Sequence, residues 1–252
     1  MKRILYCLLI FPIVLSAQIN ESDTLKVKAN LSITGFFQSG NVETVIFRAK
    51  SDISVKPWKK WVFKTNNSYV YQEFGKEKAD EDILSLNFLY FNPERKLYPL
   101  ALGFVSTNFR RNIDVRYLFG GGISYQVFSK NKNWLKLSLT GEYEQTHFAT
   151  FDFNIDEYDG NESINTLRST LWLNGKYHLF KDKLIVTHES YVQPSLENSN
   201  NYRWRADLGL ELPVWTFLNF KINYLYTFES IVIEGQKRED QFLTLGFTLK
   251  SY

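Results

Sequence analysis

The sequence predicts an all-β chain closed into an antiparallel, up-and-down transmembrane β-barrel of about twelve strands. Three observations carry that expectation: an export leader at the start, apolar and polar residues alternating with a period of two, and connections that alternate between short and long. All three are needed, because alternation alone also describes a soluble sandwich whose apolar faces cover each other.

Residues 1–17 read as a secretory signal peptide, leaving residues 18–252 as the barrel. Lys2 and Arg3 form a charged start, Ile4 to Leu15 an apolar run, and Ser16-Ala17 precedes the expected cut at Gln18. Leu15, three residues before the cut, is larger than the small residue preferred there. The apolar run is too short for a membrane-crossing helix, which takes roughly 18 residues, and no later stretch approaches that length. Cys7, the only cysteine, and Met1, the only methionine, both lie in the leader. The exported chain therefore has no disulfide, zinc-thiolate site or cysteine nucleophile. With 30 basic and 27 acidic residues in the whole chain, two of the basic ones in the leader, it is nearly neutral, which argues against nucleic acid as a partner.

Along the chain, Leu25, Val27, Ala29, Leu31 and Ile33 oppose Lys26, Lys28, Asn30, Ser32 and Thr34. Val45, Phe47, Ala49, Ile53 and Val55 oppose Arg48, Lys50, Asp52, Ser54 and Lys56. Weaker strand patterns follow over 61–72, 83–91, 100–109 and 116–128, the last interrupted by Gly120-Gly121-Gly122, which reads as a bend or as room for a neighbouring side chain. Leu135, Leu137, Leu139 and Tyr143 then alternate with Lys136, Ser138, Thr140, Glu142 and Glu144. Leu167, Leu171, Leu173 and Tyr177 alternate with Arg168, Thr170, Asn174 and Lys176, and 184–193 is a weaker strand. The clearest case is Tyr202, Trp204, Ala206, Leu208, Leu210 and Leu212 against Arg203, Arg205, Asp207, Gly209 and Glu211. On a helix these six apolar residues would scatter around the axis, whereas on a strand they make one greasy face. Phe220 to Phe228 and Leu243 to Leu249 complete the set.

Short connections are expected at 57–60, 92–96, 129–133, 181–183 and 213–216, and longer ones at 73–82, 110–115, 147–164, 194–201 and 230–240. The first link, around Ser39-Gly40-Asn41, is short on the long side. Short periplasmic turns, longer outer loops and an even strand number are the bookkeeping of a bacterial outer-membrane barrel. Trp58, Trp61, Trp134 and Trp215 lie beside the short turns, while Trp204, Tyr69 and Tyr71 lie near the opposite strand ends. Two aromatic girdles at headgroup level are thereby expected.

The segments 35–44 (GFFQSGNVET), 112–125 (NIDVRYLFGGGISY) and 141–144 (GEYE) resemble the bacterial domain of unknown function 481, a family described as salt-induced outer-membrane proteins. The resemblance spans roughly residues 30 to 250. It implies an outer-membrane β-barrel of unassigned activity and brings no catalytic residues with it. Such barrels end in an aromatic residue that the barrel-assembly machinery reads. Tyr252 is terminal here but off the parity of Leu243, Leu245, Phe247 and Leu249, a slip that a bulge near Lys250-Ser251 would absorb.

The predicted lumen carries Lys28, Arg48, Lys50, Lys64, Arg168, Lys176, Arg203, Arg205, Lys221 and Lys250 against Asp52, Glu142, Glu144, Asp207, Glu211 and Glu229. Charges of both signs can pair across strands and stiffen the wall, and the basic excess would favour anions in a channel. The expectation is a narrow passive pore or a structural envelope component, without cofactor, metal or enzymatic activity. Its expected partners are membrane lipids, lipopolysaccharide, the assembly machinery and small ions or solutes. Two alternatives stand beside it. An outer-membrane hydrolase would use His147, His178 or His188, none of which has a recognisable nucleophile context. An exported soluble lipid-binding β-protein would share the alternation. The acidic segment from Asp152 to Glu162 lacks the glycine and the final carboxylate of a calcium loop, with Glu157 and Ser163 at those positions.

Overall fold

A computed structural model describes residues 26–39 and 43–250; the expected leader at 1–17, the middle of the first loop and Tyr252 lie outside the described residues. Twelve strands are described: β1 (Val27–Gln38), β2 (Thr44–Trp58), β3 (Trp61–Phe74), β4 (Glu77–Phe91), β5 (Leu97–Asn108), β6 (Ile113–Lys130), β7 (Asn133–Phe148), β8 (Ser163–Leu179), β9 (Leu184–Pro194), β10 (Tyr202–Trp215), β11 (Leu218–Glu229) and β12 (Glu239–Lys250). Each pairs antiparallel with its sequence neighbours, and β1 pairs with β12 from Asn30↔Lys250 to Thr34↔Gly246, closing the barrel. At 11 to 18 residues the strands match or exceed the ~9–11 that cross a bilayer.

Side-chain alternation sorts the two faces. Leu208, Leu210 and Leu212 are each more than 40% exposed, while Asp207 and Glu211 beside them are buried. Along the described strands the outer face is thus apolar and the inner face carries charge. A soluble barrel that holds a lipid inside has the opposite arrangement. No described helix is long and apolar enough to cross a membrane; the one helical segment is a short 3-10 turn at Asp156–Tyr158.

The connections differ from the sequence expectation in two places; the longer link expected at 110–115 is a short turn over 109–112, with 113–115 in β6. Residues 73–82, read as a long link, are strand on both sides of a two-residue hairpin at Gly75-Lys76. Both residues have positive φ (60° and 68°), the geometry that matches the twist of paired strands. The segment is polar because β3 and β4 run on beyond their apolar stretch, not because it is a loop. The length asymmetry rests instead on 149–162, 195–201 and 230–238 on the loop rim. Opposite them, the turn rim has tight links in which Asn131, Lys132, Phe180, Lys181 and Asp182 take positive φ.

The triple glycine lets strands approach. A Cβ on Gly122 would sit 2.0 Å from the Leu139 carbonyl oxygen, and one on Gly120 2.1 Å from that of Gly141, so β6 lies against β7 only without side chains there.

Candidate functional site: the barrel lumen

Even-numbered residues of β1 to β8 and β12 and odd-numbered residues of β9 to β11 face inward, except beyond the register shifts at Val55/Trp58, Ile113/Val115, Gln126/Phe128 and Pro213/Trp215. The inward set includes Arg48, Lys50 and Asp52 on β2, Lys64 on β3, Glu142 and Glu144 on β7, and Arg168 and Lys176 on β8. It continues with Arg203, Arg205, Asp207 and Glu211 on β10 and Lys221 and Glu229 on β11. The side chain of Lys250 is not described.

Several of these side chains bridge the interior. Asp207 is the hub of one cluster: Lys50 donates a short hydrogen bond to it, Arg205 Nη2 lies 3.1 Å away, Arg48 Nη2 3.6 Å, and Asn223 Nδ2 donates at 2.9 Å. Lys50 on β2 and Asp207 on β10 are four strands apart, so the contact crosses the lumen. Glu144 is the second hub. It accepts from Arg168 Nη2 at 3.0 Å and from Arg203, with Arg116 Nε 3.8 Å away. Arg116 forks onto Glu229 across five strands at 2.9 and 2.8 Å. Asn66 on β3 and Glu189 on β9, on opposite sides of the barrel, are 3.5 Å apart. Carboxylates that are each approached by two or three cations are well compensated, whereas not every cation has a carboxylate of its own.

Two cavities flank the Asp207 cluster. The one toward the loop rim, about 110 Å³, is lined by Arg48, Arg110, Arg111, Arg116, Arg203 and Arg205 together with Asp82, Glu229 and Asp240. The other, about 70 Å³, is lined by Lys50, Asp52, Glu189, Asp207, Glu211 and Lys221 with several Asn, Ser and Thr residues. Ser68, Leu84 and Arg205 border both. At the loop rim the turn after β5 folds across the mouth: Arg111 Nη2 reaches Asp240 on β12 at 2.8 Å, and Arg110 Nε lies 2.8 Å from the fully buried Asp80.

Part of the interior is not polar. Val62, Leu86, Phe88, Tyr90, Tyr98, Leu100, Leu102 and Leu118 from β3 to β6 pack with Trp172 of β8, whose ring meets Phe88 edge-on at 5.9 Å. This wedge fills the β4–β8 side of the lumen. Sequence reading missed it because β4 and β5 are apolar on both parities, so no alternation marked the inward side. It also passed over Arg110, Arg111 and Arg116, although Arg116 shares the parity of Leu118 and Ser124.

The girdle residues divide. Trp58 and Trp215 are exposed and Trp61 borders on exposed at the turn rim; Trp204, stacked on Tyr226 at 4.5 Å, lies outside toward the loop rim with Tyr69 and Tyr71. Trp134 is a correction. It is 3% exposed on the inward parity of Lys136 and Glu142, with the Lys136 ammonium 4.3 Å from its ring. Its nearness to a turn was read; its parity, which places it inside, was not.

The three histidines occupy three separate places. His147 is on the outward parity near the loop rim. His188 faces outward against Tyr177, with Nε2 3.1 Å from the phenol oxygen, and His178 pairs with Asp182 at the turn rim (2.9 Å). From the neighbouring turn between β6 and β7, Lys132 Nζ donates to Asp182 at 2.9 Å and, together with the nearby His178, holds its carboxyl below the usual range. Among the described residues no group of three or more His, Cys, Asp or Glu is arranged to hold a metal. Two carboxylates of the acidic loop are engaged by protein donors: Asp159 accepts from the Phe153 backbone at 2.6 Å, and Glu157 accepts from Asn198 of the β9–β10 loop at 2.7 Å.

An antiparallel twelve-stranded cylinder, greasy outside and charged within, has the fold of outer-membrane β-barrels. Among solved structures, the NanC porin is similar over 88% of this chain and 99% of its own, with 12% identity and a TM-score of 0.53. The translocator domain of the autotransporter NalP from Neisseria meningitidis matches over 88% of this chain and 86% of its own at 13% identity and a TM-score of 0.38. No curated protein matches. Residues 31–250 match the family described as "Protein of unknown function, DUF481", and the chain belongs to that family.

Proposed function

We propose that the protein is a narrow passive pore of the bacterial outer membrane whose arginine-rich outer half favours small anions. The observation that carries this reading is the pair of charged cavities in the lumen, bordered in common by Ser68, Leu84 and Arg205. Hydrocarbon tails cover the apolar outer face, and the aromatic residues at the strand ends sit at headgroup level. Fixed positive charge in a low-dielectric channel raises the local concentration of anions and lowers that of cations. The cross-lumen contacts at Asp207 and the aromatic wedge leave passage only for small solutes. Catalysis has no part in the proposal; alanine variants of His147, His178 and His188 are expected to leave any lipid or peptide turnover of the preparation unchanged.

Planar-bilayer recording tests the pore. Refolded protein should give small, anion-preferring conductance steps, and Arg48→Glu combined with Arg205→Glu should move the reversal potential toward cation preference. Absence of any conductance, with the folded state verified by a gel shift between unheated and boiled samples, would leave a structural role only.

A further inference from the structure

The lining of the outer cavity is of two kinds. Arg203 and Arg205 from β10 and Arg48 from β2 bring guanidinium groups, and Val70, Leu84 and Phe104 from β3, β4 and β5 bring apolar surface, Val70 being the cross-strand neighbour of Arg48. The arginines lack a full set of partners. Arg48 lies 3.6 Å from Asp207, a carboxylate it shares with Lys50 and Arg205, and its own Nε is buried without a hydrogen-bond partner. Arg203 donates to Glu144 and, at 2.5 Å, to Gln193, yet its Nη1 is buried and unpartnered, as is Nε of Arg205. Arg48 and Arg203 are each 5% exposed or less. Buried positive charge in excess of its carboxylates is costly unless a further anion completes the set, and the planar guanidinium fork suits a carboxylate.

We propose that this cavity is a binding site for small organic carboxylates with an apolar flank. The carboxylate accepts from Arg48 and Arg203, and the aromatic or aliphatic body lies on Val70, Leu84 and Phe104. At about 110 Å³ the cavity has room for a compact acid and not for a polymer. A purely inorganic anion would leave the apolar surface unused, and a neutral analogue would leave the guanidinium groups unpartnered. The inference rests on the pore reading only in taking the cavity to be reachable by solutes.

Isothermal titration calorimetry on the detergent-refolded full chain tests it with benzoate, hexanoate, benzamide and inorganic phosphate. Benzoate and hexanoate should bind at least tenfold more tightly than benzamide or phosphate. Arg203→Gln and Arg48→Gln should each weaken both acids tenfold or more. Phe104→Ser, in the apolar lining, should weaken both acids without changing the response to phosphate; it serves where an arginine variant does not refold. The proposal is overturned if folded wild-type protein takes up neither acid, or if the arginine variants bind them unchanged. Phosphate binding as tightly as the acids, or indifference to Phe104→Ser, would also overturn it. Bilayer recording on the same preparation separates the two readings: conductance without acid binding defeats the site alone, and acid binding without conductance defeats the pore alone.

Discussion

At the residue scale, Asp207 is a costly position to substitute. It neutralises Lys50 and Arg205 directly and Arg48 more distantly, so Asp207→Asn leaves the buried Arg48 and the partly buried Lys50 and Arg205 with one carboxylate fewer. Removing one partner of a buried pair costs about 3 kcal/mol at the lower end of the usual range, and that end applies because the flanking cavities admit water. Urea unfolding followed by tryptophan fluorescence should show the loss, and under the proposed pore function the surviving barrels should shift further toward anions. Arg48, Arg205 and Asp207 were legible in the sequence because each interrupts an apolar alternation. Trp134 was equally legible by parity, two residues before the inward Lys136. The turn arginines Arg110 and Arg111 were not: they fold inward across the mouth, and no local pattern records a partner such as Asp240, 129 residues further on from Arg111.

Among the elements, β6 and β7 offer the sharpest contrast. Gly122→Ala would thrust a methyl group to 2.0 Å from a backbone oxygen and should lower stability by on the order of 3 kcal/mol. Gly141→Ala, on the neighbouring strand, meets nothing within 4 Å and should stay within about 0.5 kcal/mol of wild type. Urea midpoints of the two variants decide it. The turn after β8 responds to acid instead. Because Asp182 is held below its ordinary range when folded, its bond to Lys132 contributes stability above the unfolded carboxylate value. That contribution is lost as the pH falls through the lower folded value. The pair is exposed, so the effect is at most about 1 kcal/mol and screened by salt; Asp182→Asn should remove it, flattening the acid limb of a stability-versus-pH curve. Strand existence was readable almost everywhere, but the inward side of β4 and β5 was not, since a lumen partly filled by apolar side chains removes the contrast on which parity reading depends.

For the whole molecule, the inverted distribution of polarity makes a prediction that a soluble barrel would not share. Leu245, exposed near the middle of β12, should tolerate alanine, while Leu245→Arg should cost about 2–4 kcal/mol in a bilayer and far less in a short-chain detergent. Equal effects in both media would mean that no hydrocarbon covers this face. Closure was foreseeable from the even number of strands and the apolar outer parity; the internal wedge and the bridged mouth were not, because both are assembled from residues that meet only once the cylinder exists. The seam between β1 and β12 sets the order of events. Residue 30 finds its partner at residue 250, so the final ladder cannot zip until the last strand has arrived. Until then the first and last strands present raw edges, so a truncation within β12 should yield sticky, unsealed sheets instead of a smaller pore.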